Sequence, residues 1–313
     1  TDLEAHYANM GVLPMPAIFE HGWTPYQFSL HAASGLWQVQ VLLFALAAGL
    51  AAALLVGYHT RLATAASWLL LVSLQNRNVF IGQGGDDLLR MLLFWGFFLP
   101  WGRVWSWDAR QQPAPARLDY FSAATVAYIV QLALLYWCTA LLKTSPEWTQ
   151  TGTALYYAFS LDQVVLPIGR LLYPHPDLRR FLTFGAYYSE LLLPFALFLP
   201  VGVARWRLLV VGVLFGFHLG ISLTLYVGLF FLINMASVLG LLPPVAMAWL
   251  EQRLLPHAHW ARRWPPHFLL AWQAPWRLRL ERTREPSAGS RRLVRATRET
   301  IVVAVLAYVC WWN

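Results

Sequence analysis

Long apolar runs broken by short polar or Gly/Pro-rich stretches dominate this chain. The runs Gly35–Tyr58, Leu62–Leu74 extending toward Phe80, Asp87–Trp101, Tyr120–Leu142, Phe181–Pro200, Trp206–Val227, Gly228–Leu241 and the start of another at Thr300–Asn313 each read as a helix at membrane depth. Several are shorter than the ~20 residues a span needs, and such pieces are expected as broken or re-entrant helices lining a cavity rather than facing lipid. No heptad, internal repeat or low-complexity tract interrupts them, and "REPSAGSRR" (284–292) reads as a linker. The expected fold is all-α: a polytopic membrane bundle of about seven to eight transmembrane or re-entrant helices with no large soluble domain. It divides into a transmembrane domain at 1–250, an Arg-rich cytoplasmic loop at 251–299, and the start of a final transmembrane helix at 300–313.

Composition strengthens this picture. The chain is 58% hydrophobic and only 12% charged, against about a quarter charged in soluble domains. Its net charge of +8 is concentrated in the eleven arginines of 251–298, a bias that marks topology or anionic lipid contact rather than nucleic acid. If the first run passes from outside to inside, the inner segments also hold Arg61, Arg103, Arg110, Arg117, Arg205 and Arg207, while residues 1–34 hold no Lys or Arg. This asymmetry sets the orientation and places the 74–90 segment and the 143–180 loop together on the outer side. Cys138 and Cys310 lie inside apolar runs, form no C-x-x-C pair and read as packing residues. The chain opens without an initiator Met and closes within an apolar run, so a piece of a longer protein is expected.

Against this background a few polar residues stand out. Lys143 is the only lysine among 23 basic residues. On a helix, Tyr128, Tyr136, Thr139 and Lys143 fall within a sector of about 80°, so Lys143 ends a polar stripe. One reading is a lysine snorkelling to the headgroups. The other is a buried amine that, unlike arginine, can lose its proton and act as a base.

In "LQNRNVFIGQGGDDLLR" (74–90), the glycines permit a turn, Asp86 or Asp87 can cap the following helix, and Arg90 is placed to pair with either. The segment reads either as a capped re-entrant turn or as a polar mouth lined by Asn76, Asn78, Asp86 and Asp87. Glu190 inside "FGAYYSELLLPFALF" is a costly intramembrane acid, either functional or hydrogen-bonded to Tyr187 one turn earlier. His218 in "GVLFGFHLGISL" lies off the Gly212, Gly216, Gly220 stripe, with Ser222 on its own side. That stripe is expected to pack a neighbouring helix, and His218 reads as a packed or a pocket histidine. Glu4, His6, Glu20, His21 and His31 lack the spacing of a helical metal site, and His257, His259 and His267 sit in the arginine-rich loop, so no metal is expected. No nucleophile elbow is present.

Three stretches together, "DLEAHYANMGVLP", "GYHTRLATAASWLLLVSLQNRNVFIGQGGDDLLRMLLFWGFFLPWGRVWSWD" and "YIVQLALLYWCTALLKTSPEWTQTGTALYYAF", resemble the HTTM family, the membrane domain shared by vitamin K-dependent gamma-glutamyl carboxylase and many bacterial proteins. The resemblance covers nearly the whole chain. It implies a helical membrane enzyme with an extracytoplasmic site, here on the periplasmic side of a bacterial inner membrane, that uses a quinone or quinol. In the carboxylase a lysine base deprotonates the reduced quinone, oxygen turns it into a stronger base, and carbon dioxide adds to the resulting carbanion. Lys143 in "LLKTSPEW" matches that lysine, and His218 in "FHLGISLTLYVGLF" resembles the family's later histidine. Glu190 would then contact the quinol, with Trp148, Tyr156 and Tyr157 walling the pocket. The family's Asn-His pair has no histidine counterpart near "IGQGGDD", and its large lumenal domain has none in this sequence. A second expectation stays open: a non-catalytic accessory subunit gripping lipid and larger membrane-protein partners.

Overall fold

The computed structural model describes residues 2–111 apart from 22 and 25, residues 120–254, and residues 296–307 apart from 298 and 306. Most of the arginine-rich loop, with His257, His259 and His267, and also Cys310 lie outside the described residues. The helices are α1 (Asp2–Tyr7), α2 (Met15–His21), α3 (Trp37–Val56), α4 (Thr60–Arg77), α5 (Gly84–Phe98), α6 (Trp107–Arg110), α7 (Ala123–Leu142), α8 (Pro146–Thr149), α9 (Ala154–Phe159), α10 (Pro167–Leu172), α11 (Pro176–Leu192), α12 (Val203–Thr224), α13 (Phe230–Leu239) and α14 (Pro244–Leu254). Among the described residues the only β pairing is an isolated bridge between Val165 and Leu225.

Four helical stretches are long and apolar enough to cross a membrane: Trp37–Val56, Ala123–Leu142, Pro176–Phe198 and Val203–Thr224. A fifth is added if Phe230–Leu239 and Pro244–Leu250 form one broken span. The seven to eight transmembrane or re-entrant helices that the apolar runs predict include pieces too short or too polar to count as full spans, for physical reasons. The 15 residues of α5 rise about 22 Å and the 10 residues of α13 about 15 Å, short of a ~30 Å hydrocarbon core. Helix α4 is long enough but polar, and it buries Thr60, Thr64, Ser73 and Arg77. The last run lies partly outside the described residues. Helix α3 shows the opposite composition: its side chains are apolar almost all round, and only Gln40 is buried, as expected of a helix bathed in lipid.

The chain forms two compact units. The first comprises Thr1–Pro115 and Tyr128–Leu241, the second Ala116–Ala127 and Leu242–Asn313. Within the second, the Ala123 N–H at the start of α7 donates to Glu299 Oε2 at 2.7 Å, and Val302 is buried.

Two locks define the ends of the first unit. At one end Asp108 caps α4, accepting from the N–H groups of His59 (3.0 Å) and Thr60 (2.8 Å) and from the Thr60 hydroxyl (2.7 Å). These are the donors that a helix N-terminus leaves unpaired. Gly57 turns left-handed there, and a Cβ on it would collide with Ser106. At the other end the C-terminus of α4 pins the N-terminal segment. Asn76 donates to the Phe28 carbonyl (2.8 Å), Arg77 to the carbonyls of Leu13 and Tyr7 (2.9 Å each), and Asn78 to that of His6 (2.8 Å).

Nearby, the Ser73 hydroxyl meets His31 Nδ1 at 2.6 Å and accepts the His31 N–H at 3.0 Å. Burial, reinforced by the Arg77 charge, lowers the His31 pKa from 6.5 to about 4, so the ring is neutral at pH 7. The unfolded chain therefore binds one more proton here between pH 6.5 and 4. Stability is expected to fall as pH is lowered through this window and to level off beneath it. Melting of wild type and His31→Gln at a series of pH values checks this: the Gln variant should lose the His31 contribution to the slope, and identical slopes would contradict the assignment.

Candidate functional site

The polar stripe of α7 faces other helices of the first unit. Tyr128 donates to the Ser237 carbonyl of α13 at 2.6 Å, and the Tyr136 hydroxyl meets His218 Nε2 of α12 at 3.1 Å. Thr139 turns its hydroxyl back to the carbonyls of Leu135 (3.0 Å) and Tyr136 (2.9 Å), and its side chain also lies within reach of the Glu190 carboxylate. Lys143, just past the end of α7, is ion-paired to Glu190 Oε2 of α11.

Local sequence explains where these groups stand. Ser145-Pro146 stops α7 and starts α8, because the residue before proline is extended and Pro146 fits the first helical position. This leaves Lys143 at a helix C-terminus, where a cation is favoured, and its amine also donates to the Thr139 carbonyl at 3.2 Å. The same amine lies 5.2 Å from the centre of the Trp148 ring. Glu190 lies near the end of α11. Pro194, four residues on, has no N–H for the Glu190 carbonyl, and the chain tightens into a 3₁₀ turn over Leu193–Phe198. The Glu190 side chain is 7% exposed and that of Lys143 19%. The amine therefore points neither into open solvent nor, by its bonds, away from the bundle.

His218 is 2% exposed and Tyr136 3%. Phe217 (ring centres 5.0 Å apart) and Phe230 (5.7 Å) flank the imidazole, and its Nδ1 is buried without a hydrogen-bond partner. Phe230 also lies against the start of α5: a Cβ on Gly85 would sit 3.2 Å from Phe230 Cα. The C-termini of α4, α7 and α12 and the N-termini of α5 and α13 thus gather at one end of the first unit. The 143–173 loop joins them through Leu166 N–H to the Thr224 carbonyl (2.9 Å) and Tyr226 N–H to that of Val164 (2.7 Å).

The structure brings together Lys143, Glu190 and Trp148, and places His218 with Tyr136. The remaining predicted site residues have other partners. Asn76 and Asn78 hold the N-terminal segment. Asp86 closes a capping box with Gln83, and Asp87 pairs with Arg90 at 2.8 Å on the surface. Tyr156 is stacked on Tyr173 (5.4 Å), with the Arg179 guanidinium 5.0 and 4.9 Å from the two rings, and Tyr157 is exposed. Glu190 takes Lys143 rather than Tyr187 as its partner, and Ser222 bonds to the Leu219 carbonyl rather than to His218. The Gly212, Gly216, Gly220 stripe meets no neighbour: among the described residues nothing lies within 4 Å of a Cβ built on any of the three. Tyr136, seven residues before Lys143, is legible as part of the stripe, but its pairing with His218 is not.

Comparison of the chain with family models, curated proteins and solved structures finds no match.

Proposed function

We propose that this chain is an HTTM-like, gamma-carboxylase-related polytopic membrane protein of seven to eight transmembrane or re-entrant helices. In this reading it lies in a bacterial inner membrane with the Lys143 end periplasmic, and it binds a quinol at the Lys143–Glu190 pair. The single observation that carries the proposal is that pair: the only lysine of the chain bonded to a buried carboxylate at a helix end. Ionisable groups at membrane depth are expensive and mark functional sites.

The residues present suit a flat aromatic ligand bearing a hydroxyl. His218 Nδ1 is a buried polar atom without a partner, among the rings of Phe217, Phe230 and Tyr136. Lys143, Glu190 and His218 would hold the quinol, which supplies an acidic hydroxyl on an aromatic ring when bound. Tyr136 orients the imidazole through Nε2 and leaves Nδ1 for the ligand. Trp148 shields the amine from water, and the Lys143–Glu190 pair supplies a place to move a proton.

Tryptophan-fluorescence quenching by a naphthoquinone in nanodiscs tests the reading. Lys143→Ala is expected to weaken binding at least tenfold, as is Lys143→Met. Binding unchanged in Lys143→Ala and Lys143→Arg alike ends the proposal.

A further inference from the structure

We propose that the first turns of α11 form a binding site for the phosphodiester of an anionic phospholipid, held by Arg179 and Arg180. The site does not depend on the quinol reading. Arg179 precedes Glu190 by eleven residues on the same helix, about 16 Å along its axis.

The sequence sets the depth of these two groups. Pro176–Phe198 is long and apolar enough to cross a membrane, and the arginines are its fourth and fifth residues. In a crossing helix they stand within about 6 Å of its start, at the level of the headgroups. Long side chains on a helix lean toward its N-terminus, so both guanidiniums are directed outward.

Each guanidinium is positioned by aromatic rings rather than by an anion. Arg179 Cζ lies 5.0 Å from the centre of the Tyr156 ring and 4.9 Å from that of Tyr173, and the two rings stack on each other. Arg180 Cζ lies 5.7 Å from the Phe184 ring. Gly152, left-handed at φ +70°, lets the chain pass close by: a Cβ there would fall 2.6 Å from Arg180 Cγ. Contact with a ring fixes a guanidinium without using its N–H groups, which stay free for an oxyanion.

Those N–H groups are unused. Arg179 Nε and Nη1 are buried without a hydrogen-bond partner. Among the described residues neither arginine pairs with a carboxylate, not even with Asp177, the acid of the same turn. Arg77, Arg90 and Arg170, by contrast, each meet an oxygen. Buried donors without acceptors are costly, and a phosphate oxygen is the strong acceptor that suits a guanidinium fork.

The surroundings select a lipid phosphate. Leu171, Leu178 and Phe181 are exposed around the arginines in sequence. A free phosphate would leave them bare, whereas acyl chains cover them. Two adjacent cations without a paired acid also repel the ammonium of a zwitterionic headgroup, which favours an anionic lipid.

Native mass spectrometry of the full chain in detergent tests the site, with phosphatidylglycerol, phosphatidylcholine or glycerol phosphate added. Wild type is expected to hold phosphatidylglycerol roughly tenfold or more tightly than phosphatidylcholine and to retain no glycerol phosphate, and Arg179→Gln combined with Arg180→Gln should lose that preference. Residues 251–298 hold eleven arginines that attract anionic lipid as well, so the difference between wild type and variant is what reads the site. Arg180→Gln alone leaves Arg179 on its two tyrosines and serves if the combined variant does not fold. Hydrogen exchange of wild type in nanodiscs needs no variant: phosphatidylglycerol in place of phosphatidylcholine should slow the amides of residues 173–181. Equal phosphatidylglycerol binding in wild type and variants, equal binding of the two lipids, or unchanged exchange across 173–181 overturns the proposal. Glycerol phosphate held as tightly as the lipid overturns the choice of a lipid.

Discussion

Lys143→Met is expected to destabilise the protein by about 3–5 kcal/mol, the usual cost of removing one partner of a buried ion pair. The substitution roughly keeps the volume of the side chain, so packing beside Trp148 changes little. What it removes is the cation beside Glu190, whose side chain is 7% exposed, and a donor to the Thr139 carbonyl. Glu190 would be left as an uncompensated carboxylate inside the bundle. Glu190→Gln should be milder, because an amide oxygen still accepts from the ammonium and no unpaired anion results. Reversible unfolding in mixed micelles measures both, and a Lys143→Met loss below about 1 kcal/mol, the value for exposed pairs, would show that the pair is screened by water.

The second large effect is expected at Arg77→Leu, at about 2–4 kcal/mol, with local release of the N-terminal segment. Arg77 is fully buried, and its guanidinium divides two charge-assisted hydrogen bonds between the carbonyls of Tyr7 and Leu13. Leucine leaves both carbonyls without donors, and they recover hydrogen bonds only if the segment lifts into water. Asn76, Asn78 and the Ser73 bonds to His31 would then be left to tether it. Limited proteolysis within residues 2–33 should accelerate in Arg77→Leu while the helical core stays resistant. A cleavage pattern equal to wild type would contradict the pinning role.

Some of this architecture was legible in the chain. Helices α3, α7 and α12 stand out because each is a continuous apolar run long enough to cross hydrocarbon. The stripe on α7 was visible because helical periodicity is local, and the capping of α5 and the Asp87–Arg90 pair were visible because their partners lie within one turn.

Partnerships between distant helices were not legible. Lys143 and Glu190 each stand out as expensive polar groups, but 47 positions separate them and the facing of α7 and α11 decides their pairing. Local spacing instead offered Tyr187. Asn76 and Asn78 have the chemistry of a binding site, yet their acceptors are backbone carbonyls, which carry no sequence signature at all. Asp108 in "WSWD" likewise gives no sign that its carboxylate caps a helix beginning 48 residues earlier.

The account depends most on Lys143 and Glu190 acting as one buried pair between α7 and α11, and a double-mutant cycle tests this most directly. Unfolding free energies of wild type, Lys143→Met, Glu190→Leu and the double variant give the coupling between the two side chains. The account predicts a coupling of about 2 kcal/mol or more, with the double variant more stable than Lys143→Met because no charge is then left buried alone. Additive losses, with a coupling near zero, would contradict it.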